Sequence, residues 1–569
     1  MTQAVHDLLE QHFDTVFASP DGIAKLRELI LTLAMKGKLV EQNPNDPSAS
    51  ELLKAIEKEK QQFVKVGKIK KPKALPPIEQ ADAPYALPKG WIWTRLGNIG
   101  NIFNGNSINA IEKETKYAGA NGLPYIATKD VGYGLDELDY KNGIYIPESE
   151  EKFKIAHQGA VLICAEGGSA GKKCGIAEQD VCFGNKLFAN EPYGGISSKF
   201  ILYLYLSPLF REAFAGAMAG IIGGVSIAKF MELPIPIPPL REQHRIVTRI
   251  DQLMDRCDEM ERLKKSLDER RIAVNLSAIR KLLDDDFDAG RSFIEQNFFQ
   301  LYSVKENVAE LRNAILQLAV MGRLVPQDPS AQSADWLLKE IEEEKLRLIN
   351  EKKIKKQKSL REISSDEAPF SLPRGWVWCR VASCIDSSRD ISYGIIKLEA
   401  EPKAGGIPTL RCSDVKPGYI ELANVRSVSP EVEAPYVRTR LQGGEVLVNI
   451  RGTLGGVALV PKELAGYNIA REVAMLPVHP RISANYMVNV IASPFFWRMI
   501  EANLKGIAYK GLNLNILRDF VIPLPPHEEQ VRIVSRVKYL MELCDSLDRE
   551  IRAATRKQGA LLNAVMAQV

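Results

Sequence analysis

Leu87-Pro88-Lys89-Gly90-Trp91-Ile92-Trp93 returns 285 positions later as Leu372-Pro373-Arg374-Gly375-Trp376-Val377-Trp378. The match extends outward from this stretch in both directions. Upstream, at the same spacing, Glu10-Gln11-His12-Phe13 returns as Glu295-Gln296-Asn297-Phe298 and Leu26-Arg27 as Leu311-Arg312. Gly37, Leu39 and Val40 reappear as Gly322, Leu324 and Val325. Downstream, Pro236-Ile237-Pro238-Pro239 with Gln243 and Arg245-Ile246-Val247 recurs 287 positions on, as Pro523-Leu524-Pro525-Pro526 with Gln530 and Arg532-Ile533-Val534. Solenoid repeats have periods of about 20–50 residues. A period this long means two whole modules in one chain, and a pseudo-twofold body built from a single polypeptide.

Each copy has the same predicted order. Ile23, Leu26, Ile30, Leu33 and Ala34 follow helical spacing over 23–36, and Gly37 is a natural stop. A second helix is expected at about 50–64, followed by a Pro- and Lys-rich stretch that reads as a linker. From Trp91 onward, Gly-rich turns alternate with strand-like runs such as 123–126 and 160–164, with helices near 198–206 and 209–217. The second copy offers strands at 407–410 and 445–450 and a helix at 484–492. Each such head reads as an α+β domain of about 150 residues. The Pro-rich exit leads into a long helix whose apolar positions, Ile246, Ile250, Leu253, Cys257, Met260 and Leu267, alternate by four and three. Ile533, Val537, Leu540, Cys544, Leu547 and Ile551 repeat that coiled-coil seam. The helix after the first head can fold back on the second copy's opening helices. By the same logic the C-terminal helix needs the N-terminal helices, so a cyclic arrangement is expected.

The 569 residues are 45% hydrophobic and 26% charged, as in a soluble globular protein. No apolar run approaches the ~20 residues that span a bilayer, and the first residues lack the features of a signal peptide. Eight cysteines without a C-x-x-C pair suit reduced thiols in the cytoplasm. No metal-ligand spacing is present. The net charge of +4 is small, yet two basic runs recur: Lys65, Lys68, Lys70, Lys71 and Lys73, then Lys352, Lys353, Lys355, Lys356 and Lys358. They read either as solvated linker or as phosphate contacts. Glu166-Gly167-Gly168-Ser169-Ala170-Gly171-Lys172 fails the phosphate-loop pattern, since Glu166 replaces its first glycine and Lys173 its last hydroxyl residue. A tight turn that lets backbone approach a ligand explains it and its counterpart, Arg451-Gly452-Thr453-Leu454-Gly455-Gly456. No histidine or nucleophile motif is duplicated, which argues against catalysis. The copies diverge inside the heads: at equal distance from the tryptophan, 103–107 faces 387–391, Lys129-Asp130-Val131 faces Ser413-Asp414-Val415, and Asn185-Lys186 faces Asn468-Ile469.

The duplicated L-P-[KR]-G-W-x-W and P-x-P-P-x-x-E-Q-x-R-I-V elements around an α+β head resemble the specificity subunits of type I restriction–modification systems, over essentially the whole chain. The resemblance implies two α/β target recognition domains separated by long antiparallel coiled-coil helices. It divides the chain into a helical region at 1–86, recognition domains at 87–238 and 372–525, a central helical spacer at 239–371 and a closing helix at 526–569. It further implies a subunit without catalytic, cofactor or metal sites that reads a bipartite, asymmetric sequence in double-stranded DNA. Two modification subunits would carry S-adenosylmethionine and methylate adenine N6. Restriction subunits would add translocation and cleavage with ATP and Mg2+. Major-groove reading needs Arg or Lys on guanine and Asn or Gln on adenine. The candidate readers are therefore Asn104, Asn106, Lys129 and Lys172 in the first head and Arg389, Arg411 and Arg451 in the second, with Lys70, Lys71, Lys355 and Lys356 on phosphates. Trp91, Trp93, Trp376 and Trp378 are expected to anchor the head rather than stack on bases. The rival from another class is a two-headed protein-binding scaffold.

Overall fold

A computed structural model of the chain describes residues 21–67, 73–79, 82–219, 223–284, 286–355, 359–504 and 511–568. Lys70, Lys71, Lys356 and the opening repeat at 10–13 lie outside the described residues. Two compact units divide the chain: Met1–Ser266 with Ala553–Val569, and Leu267–Arg552. The division falls within one continuous helix of 44 residues, Leu240–Leu283.

In the first unit, helix α1 (Gly22–Met35) ends at Gly37, whose positive φ of 64° and close approach to Pro88 exclude a side chain. Helix α2 (Ala49–Lys65) follows. Strand β1 (Ile92–Arg95) pairs antiparallel with β2 (Pro234–Ile237), and Trp93 stands opposite Pro236. The two motifs that frame the head in sequence are thus the two strands of one ribbon. Prolines alternate along β2, so the intervening Ile235 and Ile237 keep their N–H groups. The head itself holds a four-stranded sheet in the order 100–104, 187–192, 161–164, 174–176 and a second in the order 145–146, 123–126, 181–183, 155–156. The run 161–164 is apolar throughout because its sheet is covered on both faces. Val161 and Ile163 join a core with helices α3 (Ser198–Leu206) and α4 (Pro208–Ala217), whereas Leu162 and Cys164 pack with Ile126 and Phe183 of the second sheet.

The helix-side core also takes in Ile23, Ile30 and Ala34 of α1 and Ile246, Ile250 and Cys257 of the long helix α5 (Leu240–Leu283). The predicted seam is therefore buried over its first turns. It runs out by Leu267, which is 48% exposed. Arg27 of α1 reaches Asp258 and Glu261 of α5 at 2.6 and 2.8 Å.

The second unit repeats this construction. Its ribbon pairs 377–380 with 521–524, and Trp378 faces Pro523. Val446 and Val448 face the helices while Leu447 packs with Leu410 and Ile469. Arg312 meets Asp545 and Asp548, both at 2.8 Å. Ala278, Ile279 and Leu282, at the end of α5, share a core with Val308, Ala314 and Ile315. The expected fold-back of this helix on the second copy's opening helices is present. Cys544 and Ile533 of the last helix (His527–Gln568) lie in the same core.

The E-Q-x-R-I-V motif is a structural joint. Glu242, 1% exposed, accepts from Trp91 Nε1 at 3.0 Å and Gln42 Nε2 at 2.7 Å. Burial raises its carboxyl above the ordinary range, against the lowering effect of those two hydrogen bonds. Gln243 donates to the Pro238 carbonyl at 3.0 Å, and Gln530 donates to that of Pro525 at 2.9 Å. Arg245 pairs with Asp46 at 2.7 Å. Trp93 donates to the Tyr85 carbonyl and packs edge-on against its ring. The tryptophans anchor the base of the head, as their spacing suggested.

The stretch after each basic run differs from a free linker. Arg95, 8% exposed, donates to the carbonyls of Pro76, Pro77 and Glu232 and to Asp82 Oδ2 at 2.6 Å. Arg380, 2% exposed, grips the carbonyls of Arg361, Glu362 and Asp519 and both oxygens of Glu367. A buried guanidinium with five N–H donors can order a stretch that has no apolar pattern of its own.

Candidate nucleic-acid interface

Strand register gathers several loops at one end of the first head. Asn104 and Cys164 end their strands opposite Phe188 and Leu187, the first residues of the strand between them. The parallel strands 123–126 and 181–183 end together nearby, since Gly184 N donates to Ile126 O and Asn106 N to Phe183 O. Loops 105–107, 127–136, 165–173 and 184–186 therefore share this end. Gly105 has no room for a side chain beside the Phe183 carbonyl. Asp130, 4% exposed, accepts from Ala127 N and Asn142 Nδ2, both at 2.8 Å, and fixes the next loop. Lys173 donates to the Thr128 carbonyl at 3.5 Å and lies 4.9 Å over the Tyr133 ring, tying two loops together.

The second head shows the same frame at shifted numbers. Ile395 N donates to Ile469 O, and Gly394 approaches that carbonyl as Gly105 approaches Phe183. Arg411 N donates to Asp414 Oδ2 at 2.8 Å, as Ala127 does to Asp130. The register corrects two pairings expected from sequence. Asn104-Gly105-Asn106 corresponds to Tyr393-Gly394-Ile395, not to residues within 387–391, because the second copy carries extra residues before its edge strand. Asn185-Lys186 corresponds to Arg471-Glu472, not to Asn468-Ile469: Ala165 N donates to Lys186 O at 2.9 Å as Ile450 N does to Glu472 O at 2.8 Å. Lys129-Asp130-Val131 and Ser413-Asp414-Val415 do correspond.

The candidate readers fall into two groups. Asn104 Oδ1 accepts from Lys154 Nζ and Asn106 Oδ1 from Lys154 N, both at 2.9 Å. Arg389, whose side chain is 17% exposed, pairs with Glu445 at 2.7 Å. Arg411 forks onto Asp414 at 3.1 Å and donates to Asn424 O, and the Asp414 carboxylate raises its pKa. These four side chains are engaged in shaping the loops. Lys129 is 66% exposed, with Asp130 at 3.9 Å. Lys172 is exposed, with one contact of 3.3 Å to the Gly168 carbonyl, and Arg451 is exposed too. Lys355 is exposed in the basic run. Sequence reading did not single out Lys173, Lys186, Lys397 or Arg471, which lie on the same loops. A glycine in each copy, Gly105 and Gly394, was the available signal for the register that reveals them.

Other chemistry is sparse. Among the described residues no group of three or more His, Cys, Asp or Glu is arranged to hold a metal. No helix there is long and apolar enough to cross a membrane. Burial pushes the thiols of Cys164 and Cys182 up to about 11 and that of Cys174 to about 12, so none is a ready thiolate. Cys257, 1% exposed, is a seam residue whose pKa burial also raises.

Residues 88–269 and 394–555 match the type I restriction modification DNA specificity domain. The chain belongs to the type I restriction–modification specificity subunit family. It is similar to the type I restriction enzyme EcoAI specificity subunit of Escherichia coli, 33% identical over 562 residues, 96% of this chain and 93% of that protein. The EcoEI specificity subunit of Escherichia coli is 33% identical over 568 residues, again 96% of this chain and 93% of the relative. Among solved structures, the HsdS subunit from Thermoanaerobacter tengcongensis gives a TM-score of 0.39 at 17% identity, covering 86% of this chain and 99% of that one. A chain described with complex assembly and conformational transition of the type I R-M system gives 0.46 at 17%, covering 85% and 98%. Specificity subunits are DNA-recognition components rather than catalysts.

Proposed function

We propose that the two heads read the two halves of a bipartite, asymmetric DNA site and so direct adenine-N6 methylation by modification subunits and cleavage by restriction subunits. One observation carries the reading: an equivalent loop frame occurs twice, with different polar side chains on it. The recognition domains are residues 87–238 and 372–525. The stretches 1–86, 239–371 and 526–569 supply the helical frame, an antiparallel coiled coil with cyclic, pseudo-twofold organisation. At ~1.5 Å per residue, a helix of 44 residues is about 66 Å long. This length is ample to hold half-sites a helical turn apart, about 34–36 Å. The C-terminal stretch Ala553–Val569 belongs to the same compact unit as Met1–Ser266, which supports cyclic closure.

Lys129, Lys172 and Arg451 are the exposed members of the original reader set, and Lys186 and Arg471 join them. Asn104, Asn106, Arg389 and Arg411 shape the loops. Lys70, Lys71, Lys355 and Lys356 contact phosphate. Two modification subunits dock on the helical frame and hold S-adenosylmethionine. Restriction subunits use ATP and Mg2+, and the complex acts in the cytoplasm. Sequencing of N6-methyladenine in cells with and without this chain tests the reading. A bipartite motif should vanish on deletion, and replacing residues 87–235 with another head should change one half-site alone. Loss of no motif, or a change in both halves, would overturn it. A protein scaffold would show no salt-dependent duplex binding.

A further inference from the structure

At the end of the first head, Glu166 bridges to Gly224, and Val225 N donates to Ala165 O at 3.0 Å. In the second head Arg451 bridges to Gly511, and Leu512 N donates to Ile450 O at 2.8 Å. Together with the Ala165–Lys186 and Ile450–Glu472 bonds, these contacts make Glu166 and Arg451 equivalent, and Lys186 and Glu472 equivalent. The charges at both places are inverted. The first head presents an acid over a base, and the second a base over an acid.

We propose that Glu166 and Arg451 are specificity-determining contacts of opposite sense: Glu166 accepts from the exocyclic amino group of cytosine, and Arg451 donates to O6 and N7 of guanine. The proposal rests on reading the heads as DNA-binding. Both residues are exposed, and the bridges to Gly224 and Gly511 are made by their backbones. Phosphate repels a carboxylate. Glu166 nevertheless stands at an end rich in lysine, where Lys129, Lys172, Lys173 and Lys186 offset its charge. Its contact with Lys186 is loose, at 3.9 Å, and Glu166 is 49% exposed, which leaves acceptor positions open. A carboxylate so placed matches an amino group on a base edge, as a guanidinium matches guanine. Among the described residues no ion pair ties Arg451 to Glu472, and Glu472 Oε2 is buried without a partner. The Gly167 and Gly452 backbones, at φ of 83° and 72°, keep both turns tight beside these side chains.

The bland alternative is that Glu166 serves Lys186 alone. The chain with its modification subunits is tested on a library of duplexes randomised through both half-sites, as wild type, Glu166→Gln and Arg451→Gln. Glutamine favours adenine. Glu166→Gln should move one position of one half-site from cytosine towards adenine, by about ten- to a hundredfold in relative selection. Arg451→Gln should do the same from guanine in the other half, and the gap should stay fixed. Unchanged base preference, a uniform loss at all positions, or abolished selection from Glu166→Gln overturns the proposal. A wild-type complex that selects no bipartite site overturns the reading beneath it, a distinguishable failure.

Discussion

Replacing Arg380 with methionine tests whether a buried guanidinium, rather than apolar packing, orders the stretch leading into the second head. The side chain is 2% exposed. It holds the Arg361 and Glu362 carbonyls, both at 2.9 Å, the Asp519 carbonyl at 2.5 Å, and Glu367 at 3.0 and 3.1 Å. Removing one partner of a buried pair costs about 3–5 kcal/mol. Glu367 is 25% exposed and the stretch around it can peel into water, so rehydration recovers part of the loss. The expected cost is therefore at the lower end, about 3 kcal/mol. Urea denaturation followed through Trp376 and Trp378 fluorescence measures it, and limited proteolysis across 359–367 reports the stretch directly. The double change with Glu367→Gln should recover about 1–2 kcal/mol, within the coupling usual for touching residues. A cost below about 1 kcal/mol, or wild-type proteolysis, would refute the clamp, because the lost hydrogen bonds alone should exceed it.

Three further outcomes are expected. The Arg380 guanidinium and the Ser364 N–H hold the Glu367 carboxyl at about 2, below its ordinary 4.5. Its contribution is thus complete above about 4.5 and should be lost as pH falls towards 2, a loss smaller in Arg380→Met, where only the Ser364 N–H and Arg361 still favour the carboxylate, and measurable by acid titration of proteolytic sensitivity. Changing Lys355 and Lys356 together to glutamine should lower the slope of log K against log salt by about 0.9 for each phosphate contact removed. Duplex binding between ~50 and ~200 mM salt measures this, and an unchanged slope would remove both lysines from the interface. Gly105→Ala and Gly394→Ala would each drive a methyl into a main-chain carbonyl, and should cost about 1–3 kcal/mol in thermal denaturation. Unaltered stability would show that the loop relaxes freely.

The frame was legible in the sequence because it is built from side chains facing one another at repeated spacings. The ribbon of 92–95 and 234–237, the seam through Ile246 and Cys257, and the apolar run at 161–164 each carry a pattern that packing imposes. The loop end was less legible. Its equivalences depend on main-chain hydrogen bonds between strands, such as those from Asn106 and Ile395, and extra residues before 392 shifted the count. Arg389 and Arg411 looked like free cations, since Glu445 and Asp414, which engage them, are visible as partners only once the loops are folded. Lys186 and Arg471 were passed over because the shifted register hid their place at the loop end. The ordering of 73–79 and 359–367 was invisible because its cause lies in single arginines distant along the chain.

That last arrangement bears on how such chains diversify. Most of the groups Arg95 and Arg380 hold are carbonyls, which every residue possesses. Pro76-Pro77 and Arg361-Glu362 have no chemistry in common, yet pass through equivalent grips. Apart from the acid at Asp82 and Glu367, the grip is blind to what threads it. Exchange of genetic material between related chains at this point would create few side-chain conflicts. A hybrid could therefore acquire a new head in one step with its seating intact.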